Sequence, residues 1–259
     1  ESEKIHIRGL IVSSYIEGNS HWQSYQTLSS WLKSEGVPAL TGIDTRTLTK
    51  TLRKAGVMKG KIIFKYPAKS GTIFYDVNRD NLVASVSCIK PIIYGNGKFK
   101  ILLIDCGMKY SQIRILLKHD TTIIRVPWDF NPFSGKNKFE FDGLMVSNGP
   151  GDPKMANITI NTVKKAIEEK IPILGICLGN QLLALAAGAN TYKLKYGHRS
   201  QNQPVINNRD GKCFITTQNH GFAVDKNTLP TGWHPWFTNL NDDTNEGIRH
   251  AKLPFFTAQ

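Results

Sequence analysis

The sequence predicts an α/β fold: a mainly parallel sheet with flanking helices, preceded by a small α+β N-terminal domain. From Lys100 onward, short apolar stretches alternate with segments whose apolar residues recur at helical spacing. This pattern is typical of parallel strands that are buried on both faces. The chain has 259 residues, which allows two domains because single domains commonly contain about 100–150 residues.

The N-terminal domain is predicted to span residues 1–92. A helix capped near Asn19 and Ser20 is expected to bury Trp22 and Tyr25, since these aromatic residues recur at helical spacing with later apolar residues. Asp44 is predicted to cap a second helix. The predicted elements are a strand at 6–13, a helix from about 20 to 36 and a helix from about 45 to 56.

The second domain is predicted to span residues 99–259, after a polar linker. Its apolar stretches are predicted to form strands at 101–104, 122–126, 143–146 and 171–174. Helices are predicted at 111–118, 161–169 and 181–187. After Gly188 we expect only short strands and turns, including a strand at 213–217.

The composition excludes several classes of protein. Lys and Arg number 33 against 20 Asp and Glu, for a net charge of +13. The basic residues are scattered without interleaved aromatic residues, which argues against a nucleic-acid surface. The apolar stretches are too short to cross a membrane. The four cysteines show no CxxC pairing and no zinc-ligand spacing. We therefore expect no disulfide framework and a reducing, cytoplasmic location.

A cysteine between glycines gives the strongest local signal. Cys177 lies in the segment Gly175–Gly179, between a predicted strand and a predicted helix. This is the cysteine version of a nucleophile elbow, a tight turn in which larger side chains two residues away would collide. The helix N-terminus is expected to favour the thiolate, and the Leu178 N–H to donate to an oxyanion. The alternative is a buried cysteine in a glycine-rich turn. The remaining cysteines lack such a turn and are interpreted as packing residues: Cys88, Cys106 and Cys213.

Two further motifs carry candidate binding groups. Residues 147–153 are small and follow a predicted strand, where open α/β sheets bind ligands. Gly149 is therefore expected to supply a second oxyanion N–H, although a plain glycine-proline turn is the alternative. In residues 218–222, Asn219 offers an amide to a small polar substrate. His220 is interpreted as structural rather than as the catalytic base.

These residues resemble the class I glutamine amidotransferase subunit or domain of carbamoyl-phosphate synthetase. Residues 41–46 and 81–84 are similar to the N-terminal domain of that family, and residues 105–109 to the opening of its amidase domain. The elbow is shared by all class I amidotransferases, whereas residues 41–46 mark the carbamoyl-phosphate branch. Residues 191–193 and 239–247 look closest to the eukaryotic multifunctional form of the pyrimidine pathway.

The resemblance implies that Cys177 attacks the side-chain amide of L-glutamine, and that water hydrolyses the resulting thioester. The ammonia would pass to a synthetase domain, on the same chain or a separate subunit, which makes carbamoyl phosphate from bicarbonate for pyrimidine or arginine synthesis. ATP and Mg are expected in that synthetase partner, and no cofactor or metal here. The implied oxyanion donors are Gly149 and Leu178. The implied substrate-binding residues are Gly149, Gly151, Leu178, Gln181, Asn219, Gly221 and Phe222.

The sequence departs from the family pattern in three places. The family's catalytic His, in a His-Pro-Glu motif, is expected after Gln259, and a substrate-binding Ser is expected before Glu1. The chain as given is therefore expected to be inactive alone. Asn180 stands where this branch usually has His. Three other functions stay open: another cysteine-dependent hydrolase such as a peptidase or γ-glutamyl hydrolase, a non-catalytic regulatory module, and a basic nucleic-acid binder.

Overall fold

The computed structural model describes residues 4–64, 74, 76–135 and 139–259. The chain divides between Tyr75 and Asp76 into two units. The first unit contains β1 (Leu10–Ile11), α1 (Leu28–Ser34), β2 (Ala39–Leu40) and α2 (Thr45–Ala55). Its two short strands pair in parallel. As predicted, Asp44 caps α2, because its carboxylate accepts the backbone N–H of Thr47 at 2.9 Å.

The first helix is shorter than the sequence pattern predicts. It begins at Leu28, where the Thr27 hydroxyl accepts the backbone N–H of Ser30 at 3.1 Å. Trp22 and Tyr25 precede this cap and are 85% and 89% exposed, so their expected burial in a helical core is wrong. The apolar residues keep helical spacing through a turn that precedes the helix. In this turn the Ser24 N–H donates to the carbonyl of His21.

The second unit is built on a sheet that has ten strands in the described part of the chain. Its helices are α3 (Leu82–Val86), α4 (Tyr110–Leu116), α5 (Asn157–Glu168) and α6 (Leu178–Ala187). Its strands are β3 (Ile92–Tyr94), β4 (Phe99–Asp105), β5 (Thr121–Pro127), β6 (Gly143–Val146), β7 (Ile173–Ile176), β8 (Asn190–Asn207), β9 (Cys213–Asp225), β10 (Trp233–Asn239), β11 (Asn245–His250) and β12 (Phe255–Ala258). No helix among the described residues is long and apolar enough to cross a membrane.

The sheet is mixed, so the prediction of a mainly parallel sheet is wrong. The strand order is β10-β8-β9-β11-β12-β7-β6-β4-β5-β3. The block β5-β4-β6-β7-β12 is parallel, and β3 and β8 to β11 are antiparallel. After α6 the described chain returns through hairpins instead of helical crossovers, and hairpins make antiparallel pairs. After Gly188, β10, β11 and β12 are short, as expected, whereas β8 and β9 form a long pair that the sequence analysis did not predict.

The parallel strands are buried on both faces, as their continuous apolar sequences predict. Leu102 packs in a cluster with Val163 of α5 and Leu182 of α6. The adjacent Leu103 packs on the other face with Ile113 of α4. Helices therefore cover both sides of the parallel block, and the carboxyl ends of its strands are held at one edge.

Asp105, the last residue of β4, organises the segment that precedes the sheet. Its fully buried carboxylate accepts the N–H of Cys88 at 2.8 Å and the N–H of Gly107 at 2.9 Å. Arg125 of β5 donates to the same carboxylate from Nε at 2.9 Å and from its terminal nitrogen at 2.6 Å. Residues 76–92, which the sequence analysis assigned to the N-terminal domain, thus pack in the second unit.

Two glycines let the turn between β7 and α6 pack against neighbouring backbone. A Cβ at Gly179 would lie 2.2 Å from the carbonyl oxygen of Val146 in β6. A Cβ at Gly175 would lie 2.5 Å from the Gly179 carbonyl oxygen. A side chain at either glycine, two residues before or after Cys177, would therefore collide with backbone, as the sequence predicts.

We predict that Gly179→Ala lowers the free energy of unfolding by about 1–3 kcal/mol or more, since backbone has to move to admit the Cβ. The matched control is Gly143→Ala in β6, where the nearest heavy atom would be 3.5 Å from the new Cβ. The control should change stability by about 1 kcal/mol or less. Urea denaturation measures both, and equal losses would contradict the packing argument.

We also predict that Arg125→Met lowers the free energy of unfolding by about 3 kcal/mol, because it leaves the Asp105 carboxylate buried without its charged partner. The comparison is Lys100→Met, which breaks an ion pair to Glu140 of 3.8 Å between side chains 48% and 94% exposed. Exposed pairs contribute about 1 kcal/mol or less. Thermal and urea unfolding should therefore separate the two variants clearly.

Candidate active site

The carboxyl ends of the central parallel strands meet at one edge of the sheet. Here β4 leads to Cys106, β6 to Ser147, β7 to Cys177 and β12 to Gln259. Ligands bind at this edge in open α/β sheets. The topology therefore brings the elbow and the 147–153 loop, which are separate in sequence, to the same place.

Cys177 occupies a strained turn directly before α6. Its backbone has φ 54° and ψ −102°, a left-handed φ that non-glycine residues seldom adopt and that is concentrated at functional sites. The Cys177 N–H bonds to the Ala258 carbonyl of β12 at 2.8 Å. The side chain is partly exposed. This is the geometry that a nucleophile elbow requires.

The loop after β6 lies against the first residue of α6. A Cβ at Gly149 would be 2.7 Å from Cδ2 of Leu178, so the two residues predicted to donate to an oxyanion are neighbours. Their donation to a substrate oxygen stays a prediction. The Ser147 hydroxyl anchors the loop by accepting the Cys106 N–H at 2.9 Å. Asn148 adds a second anchor, donating to the Gly107 carbonyl at 3.0 Å.

The sequence motif did not identify these two anchoring roles. Ser147 is fully buried, and the Asn148 side-chain oxygen also accepts the Lys109 N–H at 3.1 Å and Nε2 of Gln112 at 2.9 Å. Both side chains tie the loop after β6 to the loop after β4. The sequence contained one signal for these roles: the 147–153 segment begins with two residues whose side chains form hydrogen bonds, and not only with small residues.

The thiol of Cys177 does not have the lowered pKa that the sequence analysis expected. Burial raises the pKa of this thiol, and the negative charge of Glu246 acts in the same direction. The Leu178 N–H, the Gln259 side chain and the charge of Lys109 lower the pKa but do not offset the burial. The helix N-terminus thus lowers the pKa of the thiol, but desolvation raises that pKa by more.

Gln181 connects the elbow to strand β9. Its Nε2 donates to the Phe222 carbonyl at 2.8 Å and to Oε1 of Gln259 at 3.1 Å. Asn180 donates to the same Gln259 oxygen at 3.2 Å and accepts the Thr257 hydroxyl at 2.6 Å. The residue that departs from the family pattern is therefore part of a buried amide network beside Cys177.

The remaining predicted site residues are less closely connected to the elbow. Asn219 and Gly221 lie on one face of β9, and Asn219 is exposed. Gly151 has a φ of +88° and packs against Leu82 of α3. The structure therefore groups five predicted residues by contact or sequence adjacency: Cys177, Leu178, Gly149, Gln181 and Phe222. Binding of glutamine by these residues, and by Gly151, Asn219 and Gly221, stays a prediction.

The other cysteines differ in their surroundings. Cys106 is fully buried and Cys88 partly buried, and burial raises the pKa of Cys88 to about 11. Cys213 is exposed at the start of β9, so its interpretation as a packing residue is wrong. It begins one of the strands of a hairpin, where its side chain faces solvent.

His220 belongs to a buried polar cluster that the sequence analysis missed. It lies in the middle of β9 rather than in a turn, with His198 of β8 at 4.7 Å between ring centroids. Glu246 of β11 lies 3.2 Å from Nδ1 of His198. Hydrogen bonding to Glu246 raises the pKa of His198 to about 9, whereas burial lowers the pKa of His220. Only strand pairing brings these residues together, so short-range spacing gave no signal.

Comparisons with known proteins agree with this architecture. Residues 102–259 match the family described as glutamine amidotransferase class-I, and residues 1–62 match the CPSase domain of the carbamoyl-phosphate synthase small chain. A solved structure from Thermoplasma acidophilum, described as a candidate GMP synthase component, superimposes with a TM-score of 0.54 and 23% identity. The match covers 64% of this chain and 84% of that protein, and it shows similarity of fold.

Curated relatives match along the whole chain. The multifunctional protein CAD of Squalus acanthias is 48% identical over 262 residues, covering 100% of this chain and 12% of the relative. The mitochondrial carbamoyl-phosphate synthase [ammonia] of Homo sapiens is 45% identical over 262 residues, covering 100% of this chain and 17% of the relative. The chain thus spans a small part of the length of these relatives. With the family match over residues 102–259 and the elbow at Cys177, the chain belongs to the class-I glutamine amidotransferase family.

Proposed function

We propose that the complete protein hydrolyses L-glutamine at Cys177 and supplies the ammonia to a carbamoyl-phosphate synthetase domain. The observation that carries this proposal is the strained turn at Cys177, with its φ of 54°, packed against the loop that contains Gly149. The match of residues 1–62 to the small chain of carbamoyl-phosphate synthase supports the choice of this synthetase.

In the proposed reaction, Sγ of Cys177 forms a bond to the side-chain carbonyl carbon of glutamine. The backbone N–H groups of Leu178 and Gly149 would stabilise the oxyanion. Breakage of the C–N bond releases ammonia, which takes up the proton that the thiol loses. Water then attacks the γ-glutamyl thioester and releases glutamate and the thiol.

The thiol needs a base because its pKa is raised in this chain. We propose that the base is the His that the family resemblance places after Gln259. The proposal is supported by the direction of strand β12, which runs parallel to β7 and ends at the same edge of the sheet as Cys177. The Gln259 side chain already lies close enough to lower the pKa of the thiol.

The nitrogen source needs its own argument, because the name of one relative specifies ammonia. The human relative is named for ammonia, so family membership alone does not select glutamine. Retention of Cys177 in the elbow favours glutamine, because a nucleophile is needed only if an amide is hydrolysed. We further propose that the synthetase domain uses ATP and Mg, that pyrimidine synthesis consumes its product, and that the protein is cytoplasmic.

We predict that Cys177→Ala in the full-length protein abolishes glutamine hydrolysis, since no other group replaces the nucleophile. Synthesis of carbamoyl phosphate from added ammonia should continue at the wild-type rate. The matched control is Cys213→Ala, at an exposed thiol, which should leave both rates unchanged. Glutamate release and carbamoyl-phosphate formation are measured separately. Glutamine hydrolysis by the Cys177 variant would refute the assignment.

A second prediction concerns ionisation of the thiol. Alkylation by iodoacetamide requires the thiolate, so the alkylation rate increases as pH rises through the pKa of the thiol. A raised pKa moves this increase to higher pH. In the 259-residue chain, the midpoint at Cys177 should lie above about 8.5, the ordinary value for cysteine. In the full-length protein the proposed His should lower this midpoint. Mass spectrometry of the Cys177 peptide measures the alkylation rate in the two proteins, and identical midpoints would contradict the proposed base.

A further inference from the structure

Four buried side chains point polar atoms at one another between β8, β9 and β11. They are His198, Gln218, His220 and Glu246, with relative exposures of 8%, 4%, 6% and 2%. Oε1 of Gln218 lies 2.7 Å from Nδ1 of His198 and 3.1 Å from Nε2 of His220. One ligand atom each from His198, His220 and Glu246 lies within 4.8 Å of the others. The cluster is outside the glutamine chemistry described above.

In the part of the chain that the structure describes, hydrogen bonding leaves one carboxylate oxygen of this cluster without a donor, although the Thr244 hydroxyl donates to Oε1 of Glu246 at 2.8 Å. Nδ1 of His220 lies 2.8 Å from the Phe222 carbonyl, and only an N–H can satisfy that contact. In the neutral ring, Nε2 then carries a lone pair. It faces Oε1 of Gln218 at 3.1 Å and Oε2 of Glu246 at 3.7 Å, and both are acceptors. Among the described residues, Oε2 of Glu246 has no hydrogen-bond partner. A bound cation would satisfy this oxygen together with the lone pair on Nε2 of His220.

The outer contacts of the two rings are those of metal ligands. Histidines that bind a metal usually donate their other ring N–H to a carboxylate or a backbone carbonyl, which fixes the ring orientation. Nε2 of His198 lies 2.8 Å from Oδ2 of Asp242. His220 makes the corresponding contact with the Phe222 carbonyl. The other nitrogen of each ring, Nδ1 of His198 and Nε2 of His220, faces the Glu246 carboxylate.

We propose that His198, His220 and Glu246 bind a divalent transition-metal ion of the zinc class, with Gln218 or water as a fourth ligand. Two imidazoles and a carboxylate suit zinc. With bonds of about 2.0–2.2 Å, tetrahedral ligand atoms are about 3.3–3.6 Å apart. Nδ1 of His198 lies 3.2 Å from Oε1 of Glu246, and Nε2 of His220 lies 3.7 Å from Oε2 of the same carboxylate. One ligand atom from each of the three residues lies within 4.8 Å of the others, so small side-chain shifts would bring them to that spacing. No metal site was predicted from the sequence, because these three residues lie far apart along the chain and show no ligand spacing.

The proposed ion has a structural consequence for the amidotransferase site. His220 fixes the Phe222 carbonyl, which also accepts Nε2 of Gln181 at 2.8 Å. The Glu246 carbonyl accepts the Gln259 N–H at 2.7 Å. The ion would therefore hold together β8, β9 and β11, which are linked to the elbow through Phe222 and Gln259. The proposal does not rest on glutamine hydrolysis, and metal content tests it separately.

The test is the zinc content of the full-length protein, purified without chelators and measured by inductively coupled plasma mass spectrometry. Glu246→Gln and His198→Ala should each contain one zinc ion per chain fewer than the wild type. Asp242→Asn, at a partly exposed position, removes the charge and the oxygen that contact His198, while the remaining side-chain oxygen can still accept from Thr244. It should weaken zinc binding about 10–100-fold, measured by competition with a chelating dye. The control is His234→Ala, at an exposed position in β10, which should retain the wild-type content and affinity.

Cobalt reconstitution of the wild type provides a measurement that no variant's folding can affect. Cobalt at this site should give X-ray absorption with nitrogen and oxygen ligands, including two imidazoles. Equal zinc in the wild type and in folded variants of Glu246 and His198 would overturn the proposal. So would a wild-type protein that binds neither zinc nor cobalt here, which would leave a hydrogen-bonded network only.

Discussion

The contact between the start of α6 and the end of β6 is the constraint on which the rest of the site depends. A Cβ at Gly179 would be 2.2 Å from the Val146 carbonyl oxygen, so backbone meets backbone without a side chain between. Two residues before this contact, Cys177 adopts the left-handed conformation that starts the helix. The same approach presses Leu178 against Gly149. The nucleophile Cys177 and the loop that contains Gly149 are thus both positioned by the packing of α6 against β6.

The sequence predicted those parts of the fold that depend on local patterns. The strand at 143–146 and the block of apolar parallel strands follow from continuous apolar residues, and the cap at Asp44 from its own side chain. Trp22 and Tyr25 could not be placed, because helical spacing does not show where a cap interrupts it. The antiparallel half of the sheet was missed since long polar strands such as β8 carry weak alternation.

For the site, the elbow and its glycines were predictable because tight turns restrict residue type. The roles of Ser147 and Asn148 depend on contacts with the loop after β4, which sequence spacing does not reveal. The thiol pKa was predicted in the wrong direction. The helix terminus is a local feature, whereas desolvation of Cys177 is the sum of contacts from several strands. Interactions within one segment were therefore the predictable ones.

The position of β12 has a consequence for how the protein is made. Phe255–Ala258 comes after every other described strand, yet it lies inside the sheet, paired with β7 on one side and β11 on the other. While the chain emerges from the ribosome, the edge of β7 has no partner until these residues appear. An open apolar edge invites pairing with other nascent chains. The edge of β7 that pairs with β12 can therefore be covered by its native partner only after translation has passed Ala258.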